Sequence, residues 1–298
     1  RLPIVMANAN RALSAPINIH CDHSDIMGAR DAGWITLFAE TAQEAYDNTI
    51  MAVRIAEHPD VLLPVMSCLD GFITTHSIDR ISVMDDASVA GFVGEYEPKN
   101  ALLDTENPVS HGNFAGLGGP YFEFKKQQRE AIENSRAVVK AVGAEYSALS
   151  GRPFDVIETW GMEDAEVAVV VIGSTAGNAR SVARHLRADG HKVGVVKVRM
   201  WRPFPYAELA AALKDLKAVA VLDRAESFGA EGGPLFLEVR SALYDLERRI
   251  PVIDYIYGLG GADVRLELIE RVYTDLLDIA GGAPAPAGLV YLGAREEA

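Results

Sequence analysis

From residue 166 to residue 277 the sequence alternates short apolar runs with amphipathic stretches, and this alternation constrains the fold more than any other feature. The runs 166–172, 192–198, 218–222 and 252–257 are dominated by valine, alanine, leucine and isoleucine. Strands read this way when helices cover both faces of a parallel sheet, because neither face then needs polar residues. The intervening stretches 175–189, 205–216, 234–246 and 264–277 carry helical patterns. Pro205 suits a first helical turn, where its missing amide costs nothing. The resulting β-α-β-α order predicts an α/β fold with a small open sheet, mostly parallel, and helices on both faces.

The first half is less regular. Residues 4–9 and 34–39 read as strands, separated by a polar, aspartate-rich loop at 21–25. Thr41-Ala42-Gln43-Glu44 is a capping box, in which Thr41 satisfies a first-turn amide and Glu44 reaches back. The helix it opens places Ala45, Ala52, Val53 and Ala56 on one stripe and ends before Pro59. The run 61–69 reads as another buried strand. Residues 95–120 turn to Pro, Gly and Asn and predict an excursion over the surface, whereas 122–149 form a charged helical stretch. Residues 151–163 read as a linker, so the expected division is 1–150 and 164–298. The uncharged stretch 279–294, broken by Pro284 and Pro286, reads as a tail.

Charge narrows the function. Asp and Glu number 42 against 28 Lys and Arg, a net charge of −14. A protein that neutralised phosphate backbones would lean the other way, so nucleic acid is an improbable partner. The two cysteines, Cys21 and Cys68, lie in no paired metal spacing and form no disulfide framework. An iron–sulfur cluster takes four thiolates, which this chain does not have. No secretory signal or membrane span is legible, so the expectation is a cytoplasmic protein with no membrane partner. The first residue is not Met and residues 3–9 already resemble a buried strand, so an upstream segment is expected to precede them.

Several residues could carry chemistry. In Asp22-His23-Ser24-Asp25 two carboxylates flank a histidine; such clusters are more often N-caps and hydrogen-bonded turns than metal sites, and no metal is assigned. By pattern alone Arg30 reads first as a surface ion-pair partner, with Asp31 or Asp25, and only second as a guanidinium that receives a carboxylate on two hydrogen bonds. Gly116-Leu117-Gly118-Gly119, the glycines of 229–233 and Gly258-Leu259-Gly260-Gly261 complete no dinucleotide or phosphate-loop motif and read as turns. Ser174-Thr175-Ala176-Gly177 could hold an anion at a helix N-terminus but serves as an ordinary cap without one. His76 reads as a packed or hydrogen-bonded histidine. There is no Gly-Asp-Gly with a downstream Asn, the arrangement that carries Mg²⁺ and diphosphate in thiamine enzymes. There is no nucleophile elbow or zinc motif either.

Taken jointly, longer segments carry more than pattern. Ala7-Asn8-Ala9-Asn10-Arg11, Asp22-His23-Ser24-Asp25, Ala29-Arg30-Asp31-Ala32-Gly33-Trp34 and Leu69-Asp70-Gly71-Phe72 resemble the alpha subunit of pyruvate:ferredoxin oxidoreductases. Arg202-Pro203-Phe204-Pro205, Asp223-Arg224 and Ser227-Phe228-Gly229 extend the resemblance into the second half. It implies a thiamine-pyrimidine-type domain, here lacking its N-terminal part, followed by a transketolase C-terminal-like domain. It implies oxidation of pyruvate with CoA to acetyl-CoA and CO₂, the electrons passing to ferredoxin, with thiamine diphosphate as electron sink. By the same resemblance, Mg²⁺ and diphosphate are held mainly by a beta subunit and 4Fe-4S clusters by partner chains, with gamma- and delta-type subunits completing the complex. Arg30 matches the family's pyruvate-carboxylate arginine, which turns the expectation towards binding; Asp22, His23, Asp25 and Asp31 are candidates to line that site. The glutamate that activates thiamine is expected upstream of residue 1, so no catalytic residue is assigned. A branched-chain or other 2-oxoacid enzyme of the superfamily, or a non-catalytic assembly module, are the alternatives.

Overall fold

A computed structural model of the chain describes residues 1–295 apart from 99, 102, 111 and 113. The last three residues of the 164–298 stretch therefore lie outside the described residues.

The second half forms a six-stranded sheet in the order β10 (Val290–Leu292), β9 (Val252–Tyr257), β8 (Ala218–Asp223), β5 (Val167–Val171), β6 (Val193–Val198) and β4 (Ile157–Trp160). All neighbours are parallel except β4, which closes one edge antiparallel to β6. Along β5 the side chains alternate: Val167, Val169 and Val171 enter one core, Ala168 and Val170 the other. Helices α5 (Thr175–Ala188) and α8 (Leu266–Ala280) cover the first of these faces, and α6 (Tyr206–Leu213) and α7 (Pro234–Leu243) the second. Burial on both faces is what the near-continuous apolar runs reflect.

The first half contributes a four-stranded sheet ordered β1 (Val5–Asn10), β3 (Val65–Asp70), β2 (Ile35–Phe38) and β7 (Met200–Arg202). The first three are parallel, and β7 returns from the second half to pair antiparallel with β2. Ile35, Leu37 and Val65 face a core built with α2 (Ala42–Glu57) and α4 (Tyr121–Ser150). Phe38, Met66 and Cys68 point the other way, into the same core as Trp201, Leu213 and Val239. The two halves therefore share a core.

Four readings need correction. The stretch 151–163 is not a plain linker: it contains β4, whose Trp160 packs against the α5/α8 core. The stretch 279–294 is not only a tail, since β10 adds an edge strand to β9. The run 61–69 starts pairing only at Val65, because Leu62 has φ 45° and Pro64 precedes the strand. A short helix, α3 (Asp86–Val93), goes unpredicted; Asp85 caps it by accepting the Ser88 amide at 2.9 Å.

The α2 stripe is also more polar than predicted. Its buried residues are Asp47, Asn48, Met51, Ala52, Ile55 and Ala56. Asp47 is tolerated because Arg152 grips it through two nitrogens at 2.8 Å each and the Tyr146 hydroxyl donates to it at 2.7 Å. The capping box is half formed. Thr41 Oγ1 accepts the Glu44 amide at 3.2 Å, but Glu44 reaches back one residue further, accepting the Glu40 amide at 2.8 Å. Its second oxygen faces the buried Lys197 ammonium at 2.8 Å, and Lys197 also meets Glu40 at 2.8 Å and Glu158 at 2.6 Å. Burial opposes ionisation of Glu44, yet Arg199 and Lys197 hold its carboxyl below the usual range. This ion cluster stitches the start of α2 to β6 and β4.

Candidate functional site

Open parallel sheets gather ligands beyond the carboxyl ends of their strands. Here the two sheets bring such ends together, and a charged residue stops two of the strands. Asp70 ends β3, and Asp223 ends β8 with Arg224 directly after it. Asp70 is fully buried. His23 Nε2 donates to its Oδ1 at 2.7 Å, because an ionised carboxylate only accepts. Its Oδ2 accepts the Ser174 amide at 3.0 Å, the Ser174 hydroxyl at 2.5 Å and Arg224 Nη1 at 3.3 Å. Burial works against the charge, but His23 and then Arg224 and Ser174 outweigh it and hold the Asp70 carboxyl far below its ordinary value.

The anion to which Ser174 donates at the start of α5 is thus internal, the Asp70 carboxylate. Arg224, 1% exposed at its side chain, is pinned further by the Gly258 carbonyl at 3.3 Å and lies over the Tyr257 ring at 5.7 Å. Gly258 has φ 61°, and a Cβ there would crowd that guanidinium at 3.1 Å from Arg224 Nε.

A second buried acid pair fixes the adjoining loop. Asp223 accepts the Leu235 and Phe236 amides at 3.0 and 2.8 Å, and Asp254 accepts the Gly233 amide at 2.6 Å. A Cβ on Gly233 would sit 2.4 Å from Asp223 Cγ, so glycine is required for this approach. Burial pushes the Asp254 carboxyl up to about 6, with Glu226 adding to it. Burial and then the Asp254 charge push Asp223 well above its ordinary value. A raised carboxyl means that the folded state holds a proton the unfolded chain has released. The associated stability is complete below the ordinary carboxyl value of 3.8 and is lost as pH rises through about 6. Asp254→Asn keeps an acceptor for Gly233 and removes the titration. The variant is expected to gain about 1–3 kcal/mol over wild type at pH 8 and little at pH 4. Urea unfolding at the two pH values checks it; parallel profiles would reject the paired-carboxyl account.

Between these anchors lies a cavity of about 610 Å³. Its lining includes Asp22, Ser24, Arg30, Glu226, Phe228 and Leu259, drawn from the loop before α1 (Ser24–Gly28), the segment after it, the loop after β8 and the turn after β9. The acids are occupied. Asp22 accepts the Ser24 amide at 2.9 Å, the Ser24 hydroxyl at 2.5 Å and the Gly260 amide at 2.9 Å. Glu226 accepts from the Tyr291 hydroxyl at 2.8 Å. Arg30 is different: one nitrogen donates to the Met27 carbonyl at 3.0 Å, and its nearest carboxylate, Asp31, is 3.9 Å away and 82% exposed at its side chain. The guanidinium therefore keeps donors for a ligand anion.

The predicted site residues separate. Asp22 and Arg30 line the cavity. His23 turns inward to Asp70, and Asp25 accepts from Asn10 at 3.0 Å and from the Ile26 amide at 2.7 Å. Asp31 lies on the far side of Arg30, in a neighbouring cavity. His76 stacks on Phe72 at 4.3 Å and meets the Thr75 hydroxyl at 2.8 Å. Sequence reading missed Asp70 and Arg224 as a pair; the available signal was a charged residue ending a buried apolar run.

Among the described residues no three His, Cys, Asp or Glu side chains gather to hold a metal ion. Asp22 and Asp25 spend their oxygens on protein donors, and both thiols are buried, with Cys21 pushed up to about 12 and Cys68 higher still by desolvation. This donor set does not fit Mg²⁺ or an iron–sulfur cluster. No helix among the described residues is long and apolar enough to cross a membrane.

Comparisons with known proteins agree with this layout. Residues 1–144 match the family described as "Pyruvate flavodoxin/ferredoxin oxidoreductase, thiamine diP-bdg". Residues 165–269 match "Pyruvate:ferredoxin oxidoreductase core domain II". The chain is 50% identical to the pyruvate synthase subunit PorA of Thermotoga maritima over 99% of its own length and 74% of the relative's. It is 41% identical to the same subunit of Methanocaldococcus jannaschii over 91% of this chain and 69% of that one. It is also 36% identical to the alpha subunit of NADH-dependent phenylglyoxylate dehydrogenase from Aromatoleum evansii, over 99% of this chain and 73% of that one. A solved 2-oxoglutarate:ferredoxin oxidoreductase from Magnetococcus marinus shares the fold, with TM-score 0.60 at 18% identity. That match takes in 92% of this chain and 49% of the solved one. With close relatives matched along almost its whole length, the chain belongs to the pyruvate:ferredoxin oxidoreductase family.

Proposed function

We propose that this chain is the alpha-type subunit of a cytoplasmic pyruvate:ferredoxin oxidoreductase and that Arg30 receives the carboxylate of the 2-oxoacid. The observation that carries the reading is the cavity itself: its acids are already hydrogen-bonded by protein donors, and its arginine is not paired at close range. A small carboxylate entering it meets one positive fork, while Phe228 and Leu259 offer apolar surface to the rest of the molecule. Arg30 binds and orients; the loop ends held by Asp70 and Asp223 keep that geometry rigid. Residues 1–150 act as the thiamine-pyrimidine-type domain and 164–298 as the transketolase C-terminal-like domain.

In this reading the metal and the diphosphate of thiamine diphosphate are held mainly by a beta-type subunit, in keeping with a donor set among the described residues that does not fit Mg²⁺. The 4Fe-4S clusters belong to partner chains, with gamma- and delta-type subunits and ferredoxin completing electron transfer, and CoA accepts the acyl product.

One observation favours keeping a second reading for the substrate. A cavity of about 610 Å³ leaves room beyond a three-carbon acid, and a relative at 36% identity is named for phenylglyoxylate. Assay of the assembled complex with pyruvate, 2-oxoisovalerate, 2-oxoglutarate and phenylglyoxylate decides it. The expected result is a kcat/KM for pyruvate at least roughly tenfold above the others, within what side-chain fit can supply. A tenfold lead for another acid would replace pyruvate in the proposal.

A further inference from the structure

The charges that line the Arg30 cavity are unbalanced. Among the described residues three charged side chains face it: Arg30, Asp22 and Glu226. The other large side chains of the lining, Leu13, Met27, Phe228 and Leu259, are apolar. A 2-oxoacid whose carboxylate rests on Arg30 therefore finds no second cation in the lining for its tail. A second carboxylate on that tail would lose water without gaining a partner and would stand near two acids. An uncharged tail meets apolar surface instead.

The two acids are not equivalent. Asp22 accepts from the Ser24 amide and hydroxyl and from the Gly260 amide, so its charge is spread over protein donors and it ties the loop before α1 to the turn after β9. Glu226 accepts one hydrogen bond, from the Tyr291 hydroxyl at 2.8 Å, and among the described residues no cation pairs with it. Its place is fixed from both sides. Arg224, two residues before it, is held by Asp70 and by the Gly258 carbonyl, each at 3.3 Å. Directly after it, the Ala230 amide donates to the Ser227 carbonyl at 2.9 Å, with Gly229 at φ 82°. That is a tight turn whose third residue has to be able to take a positive φ.

We propose that Glu226 restricts the site to 2-oxoacids with an uncharged tail, by repelling a second carboxylate. The proposal rests on the reading that Arg30 receives the first one. Repulsion built against the wrong ligand is a general source of specificity. It bears little on pyruvate, whose methyl group carries no charge.

The test is steady-state kinetics of the assembled complex with pyruvate, 2-oxoisovalerate and 2-oxoglutarate, for wild type, Glu226→Gln and Glu226→Lys. Glutamine keeps an acceptor for Tyr291 and removes the charge, and lysine reverses it. Where 2-oxoglutarate is not turned over, its inhibition constant against pyruvate is read instead. Relative to pyruvate, kcat/KM for 2-oxoglutarate, or its affinity as an inhibitor, is expected to rise roughly tenfold in Glu226→Gln and further in Glu226→Lys. The ratio of 2-oxoisovalerate to pyruvate is expected to stay within about threefold of wild type, since its tail is uncharged. A rise under about fivefold for 2-oxoglutarate in both variants, the scale of an exposed ion pair, or an equal rise for 2-oxoisovalerate, would overturn the proposal. Arg30→Ala in the same assay separates the two claims. Pyruvate turnover close to wild type in Arg30→Ala overturns the carboxylate reading, whereas an unmoved 2-oxoglutarate ratio beside a crippled Arg30→Ala overturns the role of Glu226 alone.

Discussion

Replacing Asp70 by asparagine is expected to destabilise the chain by about 3–5 kcal/mol, the cost of leaving a buried charge without its partner. For a chain of this size that corresponds to a midpoint lower by roughly 6–20 °C. The expectation rests on where the charge goes. Asp70 is the hub for His23, Ser174 and Arg224, which come from the segment before α1, the β5–α5 turn and the end of β8. The substituted amide could still hydrogen-bond Ser174, but the Arg224 guanidinium, 1% exposed, would retain only the Gly258 carbonyl and the Tyr257 ring. The double variant Asp70→Asn/Arg224→Met removes the stranded charge and is expected to recover a large part of the loss, as exchange of buried ion pairs for apolar groups commonly does. Thermal and urea unfolding of the wild-type, single-variant and double-variant chains measures both effects. A loss below about 1 kcal/mol in Asp70→Asn, the scale of an exposed ion pair, would show that the hub does not hold the two halves together.

The linkage to pH has a definite sign. Because the Asp70 carboxyl is held far below its ordinary value, its contribution is present above the ordinary carboxyl range and is lost as pH falls towards its folded value. Asp254 behaves oppositely, losing its contribution as pH rises through about 6. Asp70 ends β3 in one sheet and Asp254 lies within β9 of the other, and the two acids carry opposed pH responses. The difference is the compensating cations: Asp70 has Arg224 and His23, whereas Asp254 has one backbone amide and lies close to Glu226.

The sequence announced the second sheet almost strand by strand, because β5, β6 and β8 are buried on both faces and carry the uninterrupted runs that such burial permits. The edge strands were not legible for the complementary reason. β4 carries Glu158 and Thr159 on a half-exposed edge, and β10 is three residues long beyond a Pro-rich stretch. β7 could not be read either, since its three residues pair with β2 across more than a hundred and sixty positions of sequence, and local pattern carries no register over that distance. Within the site, Asp22 and Arg30 could be picked out as a segment, but the reason Arg30 retains donors could not. Among the described residues the one internal acceptor of Arg30 is the Met27 carbonyl, and Asp22, an acid that shares its cavity, takes the Gly260 amide from 238 residues away. The Asp70–Arg224 pair, separated by 154 residues, was equally beyond local reading.

Arg30→Ala in the assembled complex is expected to lower kcat/KM for pyruvate by roughly 30- to 4,000-fold. A substrate carboxylate that loses a desolvated charge partner forfeits about 2–5 kcal/mol, and each ~1.4 kcal/mol is a factor of ten. Arg30→Lys is expected to restore only part, because an ammonium lacks the planar fork that meets both carboxylate oxygens. Neither change should unfold the chain: Arg30 is part-exposed, donates one internal hydrogen bond to Met27, and lies outside the Asp70 and Asp223 anchors. Its present carboxylate neighbour is an exposed Asp31 at 3.9 Å, a contact worth little by itself.

The measurement that bears most directly on the account is therefore kcat/KM for pyruvate in wild-type, Arg30→Ala and Arg30→Lys complexes, with subunit content verified by size exclusion. Intact assembly, a loss of at least about thirtyfold in Arg30→Ala and an intermediate value in Arg30→Lys are expected. A loss under about fivefold in a fully assembled Arg30→Ala complex, the scale of a surface ion pair, would contradict the carboxylate-binding role of Arg30.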